Sequence, residues 1–361
     1  MRAATLTAFG APLEVRDVPD PEAGTGEVLV EVLATCVPPY AAEVFSGDRR
    51  YPLEPPVVPG VGGIGRLVRV GPDATKLAVG GLVWCDSTVR ARDDALTPDI
   101  TLQGWSSRGE GGARLARYLH DGPFAELMRV PTENVYPLPA GAATDPARWS
   151  ALGVHTIPYG GLLAGRLAAG ETVLVSGATG NLGSSAVAVA LAMGAGHVVA
   201  PGRNRAALDL LAGRFGPRVS PVGLSGDEDR DRAAMAAAAG GPIDLVLDLL
   251  PPQAPSSVAR AAAMTVREYG RVVLMGGVGM LGGADLALPY PWIMRNSVTV
   301  RGQWMYPRTA NAGMIRLVAT GALDLAPERV TRFGLDRAGD AVAHAAAHGG
   351  PFDRTVLTPR G

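Results

Sequence analysis

Lysine and cysteine are scarce in this 361-residue chain. It has a single lysine, Lys76, and two cysteines, Cys36 and Cys85. One lysine leaves one candidate for Schiff-base chemistry or for a lysine general acid, and it lies in the turn-like stretch GPDATKLAVG. Two cysteines exclude a disulfide framework and any four-cysteine zinc site.

The chain also lacks a large excess of positive or negative charge, and it has no long hydrophobic run. The formal net charge is −1, so there is no basic surface typical of nucleic-acid binding and no polybasic patch for a membrane. The most apolar stretch, Ser184–Ala200, is interrupted by Gly194, Gly196 and His197, which favours a helix followed by a strand over a membrane span. The first residues, MRAATLTAFGAPLEV, lack the pattern of a signal peptide, so we expect a cytoplasmic protein without nucleic-acid or membrane partners.

What is present is a glycine-rich turn between a buried strand and a helix. A β-branched run, Thr172–Val175, leads into Ala178-x-Gly180-x-x-Gly183; a helix is then predicted over Ser184–Met193 and a second strand over His197–Ala200. A dinucleotide site needs this order, because glycines let the backbone approach pyrophosphate and the helix N-terminus attracts phosphate. The cofactor residues predicted here are Ser176, Ala178, Thr179, Gly180, Asn181, Leu182 and Gly183.

The residues after the second strand indicate which dinucleotide binds. NAD sites carry an Asp or Glu about 20 residues beyond the glycines, whereas this chain has Gly202, Arg203 and Asn204 there and no carboxylate before Asp209. A guanidinium can pair bidentately with a ribose 2′-phosphate. We therefore predict that the cofactor is NADPH, held in part by these three residues.

The distribution of patterns predicts two domains. Residues 1–150 contain short strand-like runs and a long non-periodic excursion at 85–122, whereas residues 151–306 alternate helical and strand-like segments. The second part is predicted to be a doubly wound parallel sheet. Residues 307–361 are predicted to return to the first domain. The last 40 or so residues are predicted to form two amphipathic helices and a final strand, Thr355–Leu357.

These patterns together resemble the medium-chain dehydrogenase/reductase superfamily. The resemblance is carried by EVLVEVLATCVPPYAAEVFSG, VVPGVGGIGRLVRVGPDATKLAVGGLVW, DGPFAELMRVPTENVYPLP, the glycine turn, IDLVLDLL and GRVVLMGG. It implies an α/β protein with a GroES-like β-barrel catalytic domain, a Rossmann domain and an active site in the cleft between them.

The chain departs from the family's zinc enzymes at each metal position. The resemblance puts Pro38 and Val61 where those enzymes carry Cys and His ligands, and their last Cys ligand falls near Leu152. The cysteine-free segment 86–122 replaces their structural-zinc lobe. A zinc site needs at least three N, S or O ligands. We therefore expect no metal, and a zinc-free branch similar to quinone oxidoreductases and enone or carbonyl reductases. The histidines His344 and His348 are expected to lie on a solvated helix face.

The resemblance also implies roles for other residues. Tyr40 falls where zinc enzymes carry a proton-relay hydroxyl, so it is the first candidate to donate a proton; packing against the barrel wall is the alternative. His155 is a second candidate, and Thr156 is implied to face the nicotinamide. The cofactor-lining residues implied at later strand ends are Leu249, Leu250, Met275, Gly276, Gly277, Val278, Gln303 and Trp304. Trp84, Trp105, His120, Trp292 and Trp304 are candidates for an apolar substrate pocket.

The expected activity is hydride transfer from NADPH to a conjugated enone or quinone, or to a carbonyl or imine carbon. The missing zinc favours C=C reduction, because 1,4-addition needs less polarisation of the carbonyl, while a tyrosine at the relay position favours an alcohol product. A protein that binds NADPH without turnover is the alternative of another class. The segment 296–306 is predicted to be an edge strand through which two copies form a homodimer.

Overall fold

The computed structural model describes residues 1–360, which form eighteen strands and eleven α-helices. The strands are β1 (Arg2–Thr5), β2 (Glu14–Asp17), β3 (Glu27–Val37), β4 (Gly63–Val70), β5 (Leu82–Cys85), β6 (Thr88–Arg90), β7 (Ile100–Leu102), β8 (Ser106–Ser107), β9 (Leu127–Pro131), β10 (Val135–Pro137), β11 (Thr172–Ser176), β12 (His197–Gly202), β13 (Val219–Gly223), β14 (Ile243–Asp248), β15 (Val266–Leu274), β16 (Thr299–Gly302), β17 (Arg329–Gly334) and β18 (Asp353–Thr358). The helices are α1 (Ala41–Ser46), α2 (Gly109–Tyr118), α3 (Pro146–Trp149), α4 (Leu152–Ala164), α5 (Asn181–Ala192), α6 (Arg205–Phe215), α7 (Glu228–Ala239), α8 (Ser256–Ala263), α9 (Tyr290–Arg295), α10 (Thr309–Ala319) and α11 (Ala338–Ala347).

The chain divides into two compact units. The first contains Met1–Gly153, Leu325–Gly349 and the residues from Asp353 onward, and the second contains Val154–Asp324 and Gly350–Phe352. The chain thus returns to the first unit at Leu325 and not at residue 307. Helix α10 stays with the second unit because it packs on α4, where a Cβ on Gly313 would lie 2.5 Å from Tyr159 Oη.

The first unit is organised around β3. This strand pairs antiparallel with β4, β9 and β18 in a seven-stranded sheet of order β10-β5-β4-β3-β18-β17, in which β9 lies off the main path. Its sequence EVLVEVLATCV buries the alternate residues Val28, Val30 and Val32, as expected for a strand with one core-facing side. Partners from the neighbouring strands complete this core cluster: Leu67, Val83, Cys85, Met128, Val130 and Val135.

The second unit is a six-stranded parallel sheet of order β13-β12-β11-β14-β15-β16. The order reverses between β11 and β14, and in open parallel sheets this switch point forms a crevice at the carboxyl ends of the strands. Val173, Leu174 and Val175 of β11 are fully buried, because helices cover both faces of such a sheet. The predicted edge strand is confirmed as β16, whose four residues are all exposed.

Two other expectations differ from the structure. Segment 86–122 is not a plain excursion, because it contains the small sheet β6-β7-β8 and helix α2; strands of two or three residues are too short to show periodicity. The prediction of two helices in the last forty residues is wrong. This region contains one helix, α11, and an additional strand, β17, which pairs in parallel with β18.

No helix in residues 1–360 has the length and apolar character needed to cross a membrane.

Candidate cofactor and active site

The glycine turn joins β11 to α5 and leaves the start of that helix open. Gly177 has φ +85°, a left-handed conformation that favours glycine, and Gly180 is the N-cap residue without a side-chain capping bond. A Cβ on Gly183 would lie 1.9 Å from the Gly177 carbonyl oxygen, whereas a Cβ on Gly180 would meet only that oxygen, at 3.4 Å. Helix and strand therefore meet at Gly183, and open space remains beside Gly180. The helix begins at Asn181, earlier than the Ser184 expected from sequence.

The end of β12 lies against this turn. A Cβ on Gly202 would lie 2.2 Å from Thr179 Cγ2, so the missing side chain makes room for the threonine of the turn. Arg203 follows, exposed and without an ion pair in residues 1–360. Asn204 Oδ1 caps α6 by accepting from Ala207 N at 3.1 Å, and its contact with the cofactor stays a prediction. Arg205 is engaged with Asp209 at 3.0 Å, which leaves Arg203 as the available guanidinium.

The residues predicted at later strand ends gather at the same edge of the sheet. Leu249 N donates to Ser176 O at 3.0 Å, Gly277 N donates to Leu250 O at 2.8 Å, and Gln303 N donates to Leu274 O at 3.0 Å. These bonds connect the ends of β11, β14, β15 and β16 in register. Ser176–Gly183, Leu249–Leu250, Met275–Val278 and Gln303–Trp304 therefore share the carboxyl edge, where the fit to a dinucleotide is good.

Helix α4 runs opposite to these strands. A Cβ on Gly165 would meet Leu245, and one on Gly161 would meet Leu247 and Met275, so the helix approaches the carboxyl edge at its N-terminal end. His155 and Thr156 lie in that first part and are almost fully buried, with 0% and 1% exposure. Their roles beside the nicotinamide stay predictions.

One residue that the sequence reasoning missed is Asp248. It ends β14 directly opposite Ser176, is 4% exposed, and its Oδ1 has no hydrogen-bond partner. Burial raises the pKa of this carboxyl to about 6, against the opposing effect of hydrogen bonds from Ser176 and from the Leu250 backbone. A Cβ on Gly276 would lie 2.4 Å from Asp248 Oδ2, so the carboxyl touches three of the loops that form the edge. The sequence signal that could have identified Asp248 is its position as a charged residue at the end of the apolar run IDLVLD.

Tyr40 belongs to the first unit, whereas His155 belongs to the second. Tyr40 is the N-cap residue of α1, and its ring meets Tyr51 and Trp105 edge-on with centroid distances of 6.4 and 5.9 Å. The Arg49 guanidinium carbon lies 4.3 Å from the centre of the Tyr40 ring. Burial raises the pKa of the phenol well above its ordinary value, and the Arg49 charge opposes that rise. Tyr40 is therefore protonated, as a proton donor must be.

The positions that would hold catalytic zinc do not fit the metal. Pro38, Val61 and Leu152 offer no N, S or O side-chain ligand, and Cys36 Sγ is 3.1 Å from Ser150 Oγ, a hydrogen-bond distance. Burial raises the pKa of the Cys36 thiol, which disfavours the thiolate that zinc requires. Within residues 1–360 no three His, Cys, Asp or Glu side chains are grouped so that they could hold a metal ion.

The remaining aromatic candidates are dispersed. Trp84 is buried against Gly62 and Gly153, Trp105 is buried against Tyr40, and Trp304 is 41% exposed. A cavity of about 540 Å³ in the first unit has His120 in its wall but not Tyr40. In this cavity Asp121 Oδ1 is hydrogen-bonded to His120 and accepts from Val58 N, while Gln103 Nε2 donates to two backbone carbonyls and Gln103 Oε1 has no partner.

Comparison with known families is consistent with this geometry. Residues 24–140 match the alcohol dehydrogenase GroES-like domain, and residues 182–320 match the zinc-binding dehydrogenase domain. The chain belongs to the medium-chain dehydrogenase/reductase superfamily. Its two domains are accordingly GroES-like and Rossmann-like.

Relatives in this superfamily are named as dehydrogenases and reductases. An alcohol dehydrogenase of Rhizobium meliloti is 35% identical over 55% of this chain and 57% of its own length. The first two matched relatives are thus aligned over little more than half of their own length. An acryloyl-coenzyme A reductase of Metallosphaera sedula is 28% identical over 90% of both chains. A zinc-binding dehydrogenase from Sinorhizobium meliloti, solved bound to NADP, has a TM-score of 0.81 at 22% identity, with 99% of each chain covered.

The contact between Gly183 and Gly177 predicts that Gly183→Ala weakens NADPH binding. The added Cβ must displace the helix start from the turn, and we expect the dissociation constant to rise about 10-fold or more, roughly 1.4 kcal/mol. Fluorescence titration with NADPH measures this. Gly213→Ala is the matched control, because a Cβ at that helical position meets nothing within 4 Å and should leave binding unchanged. Equal affinities for wild type and Gly183→Ala would contradict the assignment of the turn.

The raised pKa of Asp248 predicts a pH-dependent effect of Asp248→Asn. The folded protein holds this proton more tightly than the unfolded chain, so the stabilising contribution is present at low pH and is lost as pH rises through about 6. Between pH 4.5 and 7.5 the free energy of unfolding of the variant, relative to wild type, should rise by about 2 kcal/mol. Urea unfolding at several pH values measures this difference. A difference that does not change with pH would show that Asp248 does not titrate in this range.

Proposed function

We propose that this protein is an NADPH-dependent, zinc-independent reductase of small conjugated or carbonyl compounds. The observation that carries the proposal is the glycine cradle at Gly177–Gly183, beside which Arg203 is exposed and unpaired in residues 1–360. NADPH, when bound, supplies a hydride to the substrate carbon. The chain supplies binding and orientation through the carboxyl edge of the sheet, and a proton from Tyr40.

The zinc-independence rests on the donor set described above. Without a Lewis acid, hydrogen-bond donors must polarise the substrate. Tyr40 is a protonated phenol at the family's relay position and is the proposed donor. We favour reduction of a C=C bond conjugated to a carbonyl or thioester. The lack of metal-ligating side chains at Pro38, Val61 and Leu152 supports this choice, and so does the similarity to a reductase named for acryloyl-coenzyme A, over 90% of the chain.

The proposal is tested first by turnover. NADPH oxidation is followed against a quinone, an enone, an aldehyde, a ketone and a cyclic imine, with enzyme freed of metal by chelation and with added zinc as the comparison. We expect reduction of the enone or quinone at rates that chelation leaves unchanged. Reduction of the aldehyde, ketone or imine alone would assign C=O or C=N reduction instead. Tight NADPH binding without turnover of any compound would favour a non-catalytic NADPH-binding protein.

Arg203→Ala tests the choice of cofactor. Loss of charge-assisted bonds to the 2′-phosphate, worth roughly 1.5–3 kcal/mol, should raise the KM for NADPH about 10- to 100-fold and leave the KM for NADH unchanged. Arg205→Ala is the control, because Arg205 is already paired with Asp209. If wild type uses both cofactors equally, and Arg203→Ala changes neither KM, Arg203 does not read the phosphate.

We further propose a homodimer formed through β16. Every residue of this edge strand is exposed, and the same unit exposes Tyr269, Tyr290 and Met294 by 72%, 76% and 57%. Pairing with the same strand of a second copy would extend the sheet and cover the edge. Sedimentation should give twice the mass of one chain for wild type and for the control Val79→Lys, and the monomer mass for Val300→Lys. A monomeric wild type would refute the dimer.

A further inference from the structure

Arg49 is held over Tyr40 by several contacts of its own loop. Helix α1 ends at Gly47, which has φ +88°, and the chain turns back so that Arg49 N donates to Glu43 O at 2.9 Å. The Arg49 side chain then donates from Nη1 to Glu43 Oε2 at 2.9 Å and from Nε to Tyr51 Oη at 3.4 Å. Its side chain is 12% exposed, so the guanidinium is fixed and largely shielded from solvent.

The fixed guanidinium stacks on one aromatic ring more closely than on the other. Its Cζ is 4.3 Å from the Tyr40 centroid and 5.6 Å from the Tyr51 centroid. A cation within about 6 Å of an aromatic face is attracted to it, and the attraction grows when both groups are desolvated. The same charge stabilises a phenolate more strongly than a neutral phenol, since opposite charges attract strongly where water is excluded.

Few other charged groups act on this phenol. Tyr51 raises the pKa of Tyr40 more than Arg49 lowers it, and Glu43 raises it less. Helix α11 packs on α1 and carries His344 and His348, but their Nδ1 atoms bond to Thr355 Oγ1 and to His344 O. Arg49 is therefore the cation that faces Tyr40, and no sequence pattern had drawn attention to it.

We propose that Arg49 is a positioning residue that orients the Tyr40 ring and stabilises the phenolate left when Tyr40 gives its proton to the reduced substrate. This inference rests on the proposed function. NADPH, when bound, would supply the hydride of the new C–H bond, and the π electron pair of the C=C or C=O bond would move to the α-carbon or to the oxygen of the substrate. The O–H bond of Tyr40 then breaks as its proton neutralises that charge, and solvent returns a proton to the phenolate beside Arg49.

The first experiment measures the phenol without any turnover. Tyr40 is replaced by 3-nitrotyrosine, whose phenol titrates near neutral pH and whose absorbance reports its ionisation. We expect Arg49→Gln to raise the pKa of this nitrophenol by about one unit or more, because the facing cation is lost. Arg50→Gln is the matched control, since Arg50 is the exposed neighbour, and it should leave the pKa unchanged. An unchanged pKa in Arg49→Gln would overturn the inference whether or not the protein is an enzyme.

The second experiment is a double-mutant cycle in kcat on the best substrate. Arg49→Gln should lower kcat about 10- to 100-fold while leaving the NADPH dissociation constant unchanged, and Arg49→Lys, which keeps the charge, should retain part of the activity. In a Tyr40→Phe background the same Arg49→Gln change should have no further effect on kcat. An equal loss in both backgrounds would mean that Arg49 only holds the loop. A wild type inactive on every substrate would contradict the proposed function and leave the nitrophenol titration as the test of Arg49.

Discussion

The contact between Gly183 and the Gly177 carbonyl is the constraint on which the second unit depends. With no side chain at Gly183, the first turn of α5 lies directly against the end of β11. The first N–H groups of a helix have no intrahelical partner and are free to bind a ligand. The left-handed Gly177 makes this possible by turning the chain sharply after a fully buried strand. The proposed cofactor site depends on this contact between helix and strand. The loops that follow β12, β14, β15 and β16 lie at the same edge of the sheet and complete the proposed site.

Three charged residues near this edge differ in the interactions that they make. Arg205 is paired, Arg203 is not paired within the described residues, and Asp248 is buried with one oxygen lacking a partner. A buried carboxyl with a pKa near 6 can be neutral or charged in the physiological range. Because it touches Ser176, Leu250 and Gly276, its protonation state bears on the same loops that form the candidate cofactor site.

The first unit contributes chemistry of a different kind. Pro38, Val61 and Leu152, predicted to lie at or near the ligand positions of the family's metal enzymes, carry no metal-binding side chain. The phenol of Tyr40, predicted to lie at the relay position, packs between Tyr51, Trp105 and Arg49. Burial makes this phenol hard to ionise, and a neighbouring guanidinium makes ionisation less unfavourable. A site of this composition suits proton donation more than Lewis-acid polarisation.

The sequence by itself determined the glycine turn, the alternation of helices and strands that forms a parallel sheet, and the edge strand. These are local patterns, since strand burial and turn glycines are visible in consecutive residues. The tertiary structure alone decided that Asp248 lies opposite Ser176, that Arg49 stacks on Tyr40 and that α10 stays with the second unit. Side-chain contacts of this kind depend on how a loop turns back or on which strands become neighbours. Packing between distant segments decides both, and it leaves no periodic pattern in the sequence.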